Sequence, residues 1–274
     1  MTEAHNAGAA LVTGASAGIG RELALLLARD GYDLILTARD ETRLHALAAE
    51  LAERSQTRST VIPCDLSLPS GPRELAARID DAGLAVDILV NNAGMGAAGA
   101  FADLPLERQL ALLQLNIVSL TELTRRFLPR MLERGRGRVL NVASTAAFQP
   151  GPYLATYYAS KAYVLLLSEA LAEEARESAV TVTVLCPGPT RTEFFARAHM
   201  RESTLAKHTV MDAATVAAAG FRGMMRGDRI VVPGLANRAA SVLVRAAPRN
   251  VVTRVVARLN RGRKGGGSGS SPAG

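Results

Sequence analysis

The chain has 274 residues, of which 48% are hydrophobic and 21% charged. This composition is too apolar for a disordered protein, and the length can bury the core of one large domain. The net charge of +7 does not indicate a nucleic-acid partner, because the arginines are spread along the chain and aromatic residues make up only 4%.

The sequence predicts no membrane-spanning segment, since no stretch reaches the roughly 18 uncharged apolar residues that a spanning helix needs. Residues 1–8 lack the basic and apolar parts of a signal peptide, so we expect a cytoplasmic protein. Cys64 and Cys186 each close an apolar run, where a reduced thiol packs as a small hydrophobe. We therefore expect neither a disulfide nor a metal site.

Short runs rich in β-branched residues alternate with longer stretches of helical period, which is the pattern of βαβ units. The predicted strands are Ala9–Thr13, Asp33–Ala38, Thr60–Cys64, Asp87–Asn91, Arg138–Ala143, Val180–Cys186 and Arg229–Val232. The predicted helices are Ile19–Arg29, Glu41–Arg54, Arg73–Ala82, Leu106–Glu133, Tyr157–Glu177 and Ala213–Met225, the last with Asp212 as its N-cap. Most strands are nearly continuous apolar, so we expect an α/β fold with a seven-stranded parallel sheet buried on both faces, of the doubly wound Rossmann type, in one domain.

A glycine-rich turn joins the first strand to the first helix. Gly14, Gly18 and Gly20 have the spacing G-x-x-x-G-x-G, with Ser16 and Ile19 between them. Glycines at such a turn let the backbone approach a pyrophosphate, which rests on the N-terminus of the helix. A tight turn without a ligand would have the same sequence.

The end of the second strand distinguishes the two nicotinamide dinucleotides. A carboxylate there binds the adenosine ribose hydroxyls and repels a 2′-phosphate, whereas Arg39 offers a fork of donors suited to that phosphate, with Ser16 placed to help. Asp40 lies one residue further and is also a candidate cap of the next helix. The pattern favours NADP(H) and leaves NAD(H) as the alternative.

Tyr157 and Lys161 are four residues apart at the start of a predicted helix, so they share one face. A free phenol has a pKa near 10, and a nearby ammonium lowers it towards neutrality, which suits proton transfer. Lysine is rare here, because Lys161, Lys207 and Lys264 are the only lysines among 32 basic residues. A surface Tyr and Lys is the alternative, and Tyr158 is a competing tyrosine three residues from Lys161.

Further polar residues surround this pair in the predicted topology. Ser144 ends the fifth strand and Asn92 ends the fourth, at the sheet edge where ligands of open α/β sheets bind. Ser144 can donate to a substrate carbonyl oxygen together with Tyr157. Asn116 interrupts the apolar stretch Leu110–Leu120 and needs a buried partner, which makes a satisfied core amide its alternative interpretation.

Taken together, these residues resemble the short-chain dehydrogenase/reductase family. Its patterns are T-G-x-x-x-G-x-G, N-N-A-G, a mid-helix Asn, a Ser thirteen residues before Y-x-x-x-K, and P-G followed by Thr. They stand here as Thr13–Gly20, Asn91–Gly94, Asn116, Ser144, Tyr157 with Lys161, and Pro187-Gly188 with Thr190 and Thr192.

The resemblance implies a role for each matching residue. Tyr157 would be the general acid in reduction or base in oxidation, Lys161 the ribose holder and tuner, Ser144 the carbonyl orienter and Asn116 the anchor of a proton-relay water, with no metal. It further implies that the cofactor is lined at the adenine by Asp65 and Leu66, along its length by Asn92, Ala93 and Gly94, and at the carboxamide by Pro187, Gly188, Thr190 and Thr192. Family members with Arg at the place of Arg39 usually take NADP. Many are homodimers or homotetramers built on the helices that hold Asn116 and Lys161.

The resemblance ends after Thr192, so the substrate is not readable from it. We expect a catalytic domain over residues 1–234, with a substrate lid at about 193–211. Phe194, Phe195, Met200 and Leu205 make that lid apolar, which predicts an apolar ketone, aldehyde or 3-oxoacyl substrate. A catalytically silent cofactor sensor or scaffold would lack Ser144, Tyr157 or Lys161, and an NAD-dependent alcohol dehydrogenase would differ at the cofactor.

The C-terminal region departs from the alternating pattern. Residues 235–260 are apolar and Arg-rich, are interrupted by Pro248 and are expected to be helical, and residues 261–274 form a tail of Gly/Ser type that we expect to be disordered. A basic amphipathic segment suits an anionic membrane surface. The favoured alternative is a helix packed at an oligomer interface or over the substrate pocket.

Overall fold

The computed structural model describes residues 8–55, 57–193 and 210–261. The strands are β1 (Ala9–Thr13), β2 (Asp33–Thr37), β3 (Ser59–Val61), β4 (Val86–Asn91), β5 (Gly137–Val142), β6 (Val180–Leu185), β7 (Thr190–Arg191), β8 (Met211–Asp212) and β9 (Ile230–Val231). The helices are α1 (Gly18–Arg29), α2 (Glu41–Arg54), α3 (Gly71–Asp81), α4 (Leu106–Leu113), α5 (Leu120–Glu133), α6 (Ala155–Glu174), α7 (Ala213–Arg226), α8 (Leu235–Ala246) and α9 (Arg249–Arg261).

Seven strands form one parallel sheet in the order β3-β2-β1-β4-β5-β6-β9, with helices on both faces. Alternate residues of β1 point to opposite faces: Val12 packs with Leu23 of α1, whereas Leu11 packs with Phe127 of α5. The fold predicted from the sequence is therefore confirmed. The chain reverses its direction of winding between β1 and β4, and in such sheets this switch point opens a crevice at the carboxyl ends of the strands.

Two predicted elements differ in the structure. The strand predicted to reach Cys64 ends at Val61, and beyond it the amides of Ile62 and Cys64 still donate to the carbonyls of Leu36 and Ala38. Pro63 is tolerated between them because β3 is the edge strand and this position faces away from the sheet. The helix predicted to be continuous over Leu106–Glu133 contains a π-helical segment, Gln114–Ser119, between α4 and α5. Asn116 lies in that segment, and its side chain bonds outside the helix. Asp212 caps α7 as predicted, accepting from the amide of Thr215 at 2.7 Å.

A two-stranded parallel ladder, which the sequence did not reveal, pairs β7 with β8. It fixes the chain on either side of the predicted lid, whose residues 194–209, with Phe194, Phe195, Met200 and Leu205, lie outside the described residues. The predicted tail at 262–274 lies outside them too, while Arg261 is the last residue of α9.

The C-terminal stretch forms α8 and α9, separated by Ala247 and Pro248. The α9 helix packs against the loop before α6, where the Asn260 side-chain amide donates to the carbonyl of Pro152 and the Arg261 guanidinium to the hydroxyl of Tyr153, both at 2.9 Å. Within the described ranges, every helix is too short or too polar to cross a membrane.

Candidate active site

A cleft of about 720 Å³ lies at the carboxyl ends of β1, β2, β4, β5 and β6, within the size range of small-molecule and cofactor sites. All but two of the predicted site residues line it. They are Gly14, Ser16, Gly18, Ile19, Arg39, Asp65, Leu66, Asn92, Ala93, Gly94, Ser144, Tyr157, Lys161, Pro187, Gly188, Thr190 and Thr192. The other two, Gly20 and Asn116, lie behind its walls.

Thr13 and Asn92 join the strand ends on either side of the switch point. The Thr13 hydroxyl donates to the carbonyl of Val90 at 3.1 Å and accepts from the amides of Asn92 and Ala93. The Asn92 side-chain amide donates in turn to the carbonyls of Thr13 and Gly14, at 2.9 and 3.2 Å. These bonds fix the glycine turn against the loop that follows β4.

The glycine turn fits a pyrophosphate. Gly14 and Gly18 have φ of +65° and +56°, which side chains disfavour, and a Cβ on Gly20 would lie 2.4 Å from the carbonyl oxygen of Gly14. Gly20 thus lets the turn pack tightly, while Gly14 and Gly18 face the cleft. The N-cap of α1 is Ala17, which supplies no side-chain cap, so the first amides of this helix are open to an anion.

Arg39 and Asp40 have different surroundings at the end of β2. The Asp40 carboxylate caps α2, accepting from the amide of Arg43 at 3.0 Å, and also lies 3.3 Å from its guanidinium. Arg43 bonds Glu193 as well, at 2.7 Å, which links α2 to the chain that follows β7. Within the described part of the chain, Arg39 has no ion-pair partner although it lines the cleft.

Asp65 and Leu66 lie in the turn after β3, beside this end of the cleft. The Asp65 carboxylate accepts from the amide and hydroxyl of Ser67 at 2.9 and 2.6 Å, and the Leu66 carbonyl accepts from the Ser119 hydroxyl at 2.6 Å. The turn is therefore held both locally and by the π-helical segment.

Tyr157 and Lys161 share one face of α6, as predicted, and both are buried. The Lys161 ammonium lies 6.0 Å from the centroid of the Tyr157 ring and donates to the carbonyl of Val142 at 2.8 Å. No other acceptor for this ammonium is found among the described residues. Lysine has three donors, so the remaining two can serve a ligand in the cleft.

Burial lowers the pKa of Lys161 from 10.5 to about 8. The Cys186 thiol is the one other group with an effect on the Lys161 pKa, which it raises slightly, and burial raises its own pKa to about 12. No carboxylate of the described residues raises the Lys161 pKa. The positive charge therefore acts on Tyr157 from a largely dehydrated position.

Ser144 follows β5 on the same wall of the cleft. Its hydroxyl accepts from the amide of Ala146 at 3.1 Å, which caps a short 3₁₀ turn over Thr145–Phe148, and lies 3.4 Å from the carbonyl of Pro187. The contact with Pro187 is long and weak, so the hydroxyl proton can turn to a better acceptor.

Asn116 uses its whole side chain to hold the structure together. The amide group donates to the Met95 carbonyl and the Ser160 hydroxyl, at 2.9 and 3.0 Å, and its oxygen accepts from the Met95 amide at 2.9 Å. Ser160 bonds the Tyr157 carbonyl in turn. The side chain is thus a satisfied core amide that connects the loop after β4 to the helix carrying Tyr157.

The sequence interpretation gave no site role to two residues, Thr13, which it named only within the glycine motif, and Tyr158, which it named only as a competitor of Tyr157. Thr13 is a polar residue at the end of an apolar strand, and this position signals its role at the switch point. Tyr158 lines the cleft and meets the Tyr157 ring edge-on, with 6.1 Å between centroids. The Tyr158 ring packs on Gly151, where a Cβ would lie 2.1 Å from the ring. This contact depends on the loop before α6, so the spacing from Lys161 alone does not predict where Tyr158 lies.

Comparison with known proteins assigns the family. Residues 8–203 match the model of the short chain dehydrogenase family, so the chain belongs to this family. Members of this family act on small molecules with a nicotinamide nucleotide. A solved short-chain dehydrogenase from Sphingobium yanoikuyae in complex with NADPH is 34% identical, has a TM-score of 0.78, and the match covers 86% of this chain and 92% of that one.

Two relatives illustrate the range of named activities. Probable oxidoreductase EphD of Mycobacterium tuberculosis is 37% identical over 186 residues, or 68% of this chain and 31% of that protein. A very-long-chain 3-oxoacyl-CoA reductase of Laccaria bicolor is 37% identical over 175 residues, or 63% of this chain and 52% of that enzyme. The matched part of this chain thus spans about a third of the first and half of the second.

The dehydrated ammonium of Lys161 gives a prediction about stability. The Lys161 pKa is lowered in the folded protein, so between about pH 8 and about pH 10 the unfolded chain binds more protons and the stability rises with pH. Lys161→Met should therefore be more stable than the wild type at neutral pH, and this advantage should shrink by up to about 1.4 kcal/mol per pH unit across that window. Denaturant unfolding of the cofactor-free proteins measures both. A pH-independent difference would contradict the prediction.

Proposed function

We propose that the chain is an NADP(H)-dependent reductase that transfers a hydride between the nicotinamide and the carbonyl carbon of an apolar ketone, aldehyde or 3-oxoacyl substrate. The observation that carries this proposal is the grouping of Ser144, Tyr157 and Lys161 on one wall of a cleft whose other end holds the glycine turn. A sensor or scaffold would have no need of this complete set.

In the proposed reaction the bound nicotinamide supplies the hydride, and the chain handles the proton. Tyr157 donates its phenolic proton to the carbonyl oxygen in reduction and accepts it back in oxidation. Ser144 donates a hydrogen bond to the same oxygen, which orients the carbonyl and stabilises the developing negative charge. Lys161 stabilises the phenolate and uses its remaining donors to hold the ribose hydroxyls.

Asn116 serves as a positioning residue in this proposal. The family resemblance assigns it a proton-relay water, and in the structure its two side-chain N–H donors are already bonded to Met95 and Ser160. It fixes Ser160, whose hydroxyl bonds the Tyr157 carbonyl at 2.7 Å, and so sets the position of the acid in the cleft. A relay water would have to use the second acceptor site of the Asn116 oxygen or another group of the π-helical segment.

The cofactor residues fit the same proposal along the cleft. The pyrophosphate would lie on the turn with Gly14, Ser16, Gly18 and Ile19, packed by Gly20, and the adenine between Asp65 and Leu66. The backbone of Asn92, Ala93 and Gly94 would line the middle of the cofactor. A Cβ on Gly94 would lie 3.3 Å from the side-chain oxygen of Asn116, which is a tight contact and supports a role for this glycine in leaving room beside Asn116. Pro187, Gly188, Thr190 and Thr192 would hold the carboxamide end.

An oligomer built on the helices that hold Asn116 and Lys161 is part of the proposal. Val118 and Leu166 on these helices are exposed. A surface groove of about 770 Å³ lies beside them and is lined by Ile117, Val118, Thr121 and Tyr163 together with neighbouring arginines of α5. An apolar surface with this composition supports a homodimer or homotetramer contact there.

The first experiment follows the absorbance of reduced nicotinamide with NADPH and a panel of ketones and aldehydes. Tyr157→Phe should lower kcat by roughly 10²- to 10⁴-fold, because it removes the proton donor and little else. Tyr158→Phe is the matched control, since it removes the same hydroxyl from the adjacent ring, and it should stay within about tenfold of wild type. Equal losses in the two variants would refute the assignment of Tyr157 as the acid.

The preference for NADP(H) rests on Arg39, which lines the cleft while Asp40 is occupied in capping α2. Arg39→Gln should lower kcat/KM for NADPH by roughly 10- to 100-fold, the value of a charge-assisted hydrogen bond, and leave that for NADH nearly unchanged. Arg54→Gln, at the far end of α2, is the control for a general loss of charge. A wild type that prefers NADH would make the chain an NAD-dependent dehydrogenase instead.

The argument for an apolar substrate depends on the cleft wall beside Tyr157. Met95, Ala146 and Tyr158 line the cleft there and belong to an apolar cluster with Leu112 and Leu154 behind them. The Laccaria relative named a very-long-chain 3-oxoacyl-CoA reductase also supports this class. We expect kcat/KM to rise along a series of 2-ketones or 3-oxoacyl thioesters of increasing chain length. Comparable activity on small polar sugars would overturn this part of the proposal.

A further inference from the structure

A helix packed on a core usually turns its apolar side inward and its polar side to solvent. In α8 most of the apolar residues face solvent, and polar residues face the protein. The side turned towards the protein has Asn237, Ser241 and Val244, which are buried or half-buried. The Asn237 amide packs against Gly188 and donates to the carbonyl of Pro233 at 2.9 Å. The polar side of α8 is thus the one used for internal contacts.

The outward side of α8 is apolar. Leu235, Ala239, Val242, Leu243 and Ala246 recur at helical spacing and are all exposed, with 69% of Leu243 and 87% of Leu235 accessible. Surface hydrophobes that occur singly need no explanation, but a continuous apolar helix face indicates a binding surface.

The outer side of α9 carries a second apolar stripe. Its inward residues are Val252, Val256 and Asn260, which are buried. Val251, Val255 and Leu259 form a second stripe that is about half-exposed. We call the exposed apolar residues of α8 and α9 the C-terminal face.

The charge around the C-terminal face is entirely positive. Asp228 is the last acidic residue of the sequence. The two helices carry Arg238, Arg245, Arg249, Arg254, Arg258 and Arg261. Arg254 and Arg258 flank the outer stripe of α9, and within the described ranges no acidic side chain pairs with the arginines of either helix. Arginine stems can pack on apolar surface while their guanidinium groups reach an anionic layer.

We infer that the C-terminal face docks on the surface of an anionic lipid bilayer. An amphipathic helix with an apolar face and flanking arginines binds in the plane of such a surface through apolar burial and attraction to anionic headgroups. A second copy of the chain is a poorer occupant, because a twofold interface would place the same patch against itself and bring the arginines of both copies together. Neither helix spans the bilayer, so the contact is peripheral.

The test is sedimentation of the full chain with vesicles of phosphatidylcholine mixed with phosphatidylglycerol, compared with vesicles of phosphatidylcholine alone. The wild type should pellet with the anionic vesicles, and this binding should weaken as sodium chloride is raised. Binding that is absent, or equal on both kinds of vesicle, would overturn the proposal.

Two variants with matched controls test the two parts of the surface. Arg245→Gln with Arg254→Gln should weaken binding by roughly fivefold for each charge removed, whereas Arg29→Gln with Arg73→Gln, two exposed arginines elsewhere, should leave it unchanged. Leu243→Glu should weaken it by at least about tenfold, and Leu68→Glu, at an exposed leucine on another surface, should not. Equal effects of a variant and its control would overturn the proposal.

Size-exclusion chromatography of Leu243→Glu distinguishes docking on a membrane from contact with a second copy of the chain. The proposal expects the oligomeric mass of the variant to equal that of the wild type. A loss of oligomer, together with no change in vesicle binding, would show that the C-terminal face is a subunit interface and would overturn the proposal. Neither readout depends on catalysis, so failure of the proposed reaction would not affect the result.

Discussion

The junction of β1 and β4 is the constraint on which the site depends. In a parallel sheet that reverses its winding, the chain leaves two neighbouring strands towards opposite faces of the sheet. The loops after these two strands therefore need hydrogen bonds that hold them together. The Thr13 hydroxyl and the Asn92 amide do so with five hydrogen bonds across the gap. Because the same bonds fix the glycine turn and the loop before Met95, the cofactor end and the chemical end of the cleft share one support.

The chemical end adds a polar network inside an otherwise apolar layer. Asn91 bonds Thr124 and Asn141, and Asn141 bonds Ser168, all buried. These side chains connect β4 and β5 to the helices α5 and α6 below the cleft. The Asn91 side-chain oxygen has no hydrogen-bond partner among the described residues, but the other bonds of this network restrict the packing more strictly than aliphatic contacts do. The wall that carries Tyr157 is therefore preorganised before any ligand arrives.

Lys161 shows that this preorganisation has a cost in stability. Its lowered pKa corresponds to roughly 3 kcal/mol of folding free energy given up at neutral pH. An ammonium with the Val142 carbonyl as its one acceptor among the described residues is a poor structural choice. Methionine at this position would avoid that cost, which supports the proposed role of the Lys161 charge in the cleft.

The sequence predicted what is encoded locally and missed what depends on distant contacts. Continuous β-branched runs predict buried parallel strands, and glycines and polar residues at strand ends predict the cleft, because the carboxyl ends of parallel strands must meet at one edge. The π-helical segment follows no local pattern and accompanies the bonds of Asn116 to Met95. The β7-β8 ladder pairs two-residue strands that are about twenty residues apart, too short for any periodicity.

The C-terminal helices show why burial cannot be read from amphipathicity alone. The pattern of α8 shows that one side is apolar, and the usual rule turns that side towards the core. In the structure Asn237 is turned inward because Gly188 leaves room for its amide and the Pro233 carbonyl accepts from it, which leaves Leu235, Val242 and Leu243 in water. The inward side of α9 bonds Pro152 and Tyr153, next to the Gly151 on which Tyr158 packs, so the helix that carries part of the C-terminal face also supports the loop beside the proposed substrate wall. An apolar substrate partitions into a bilayer, so a reductase docked by the C-terminal face would work beside the phase that holds its substrate.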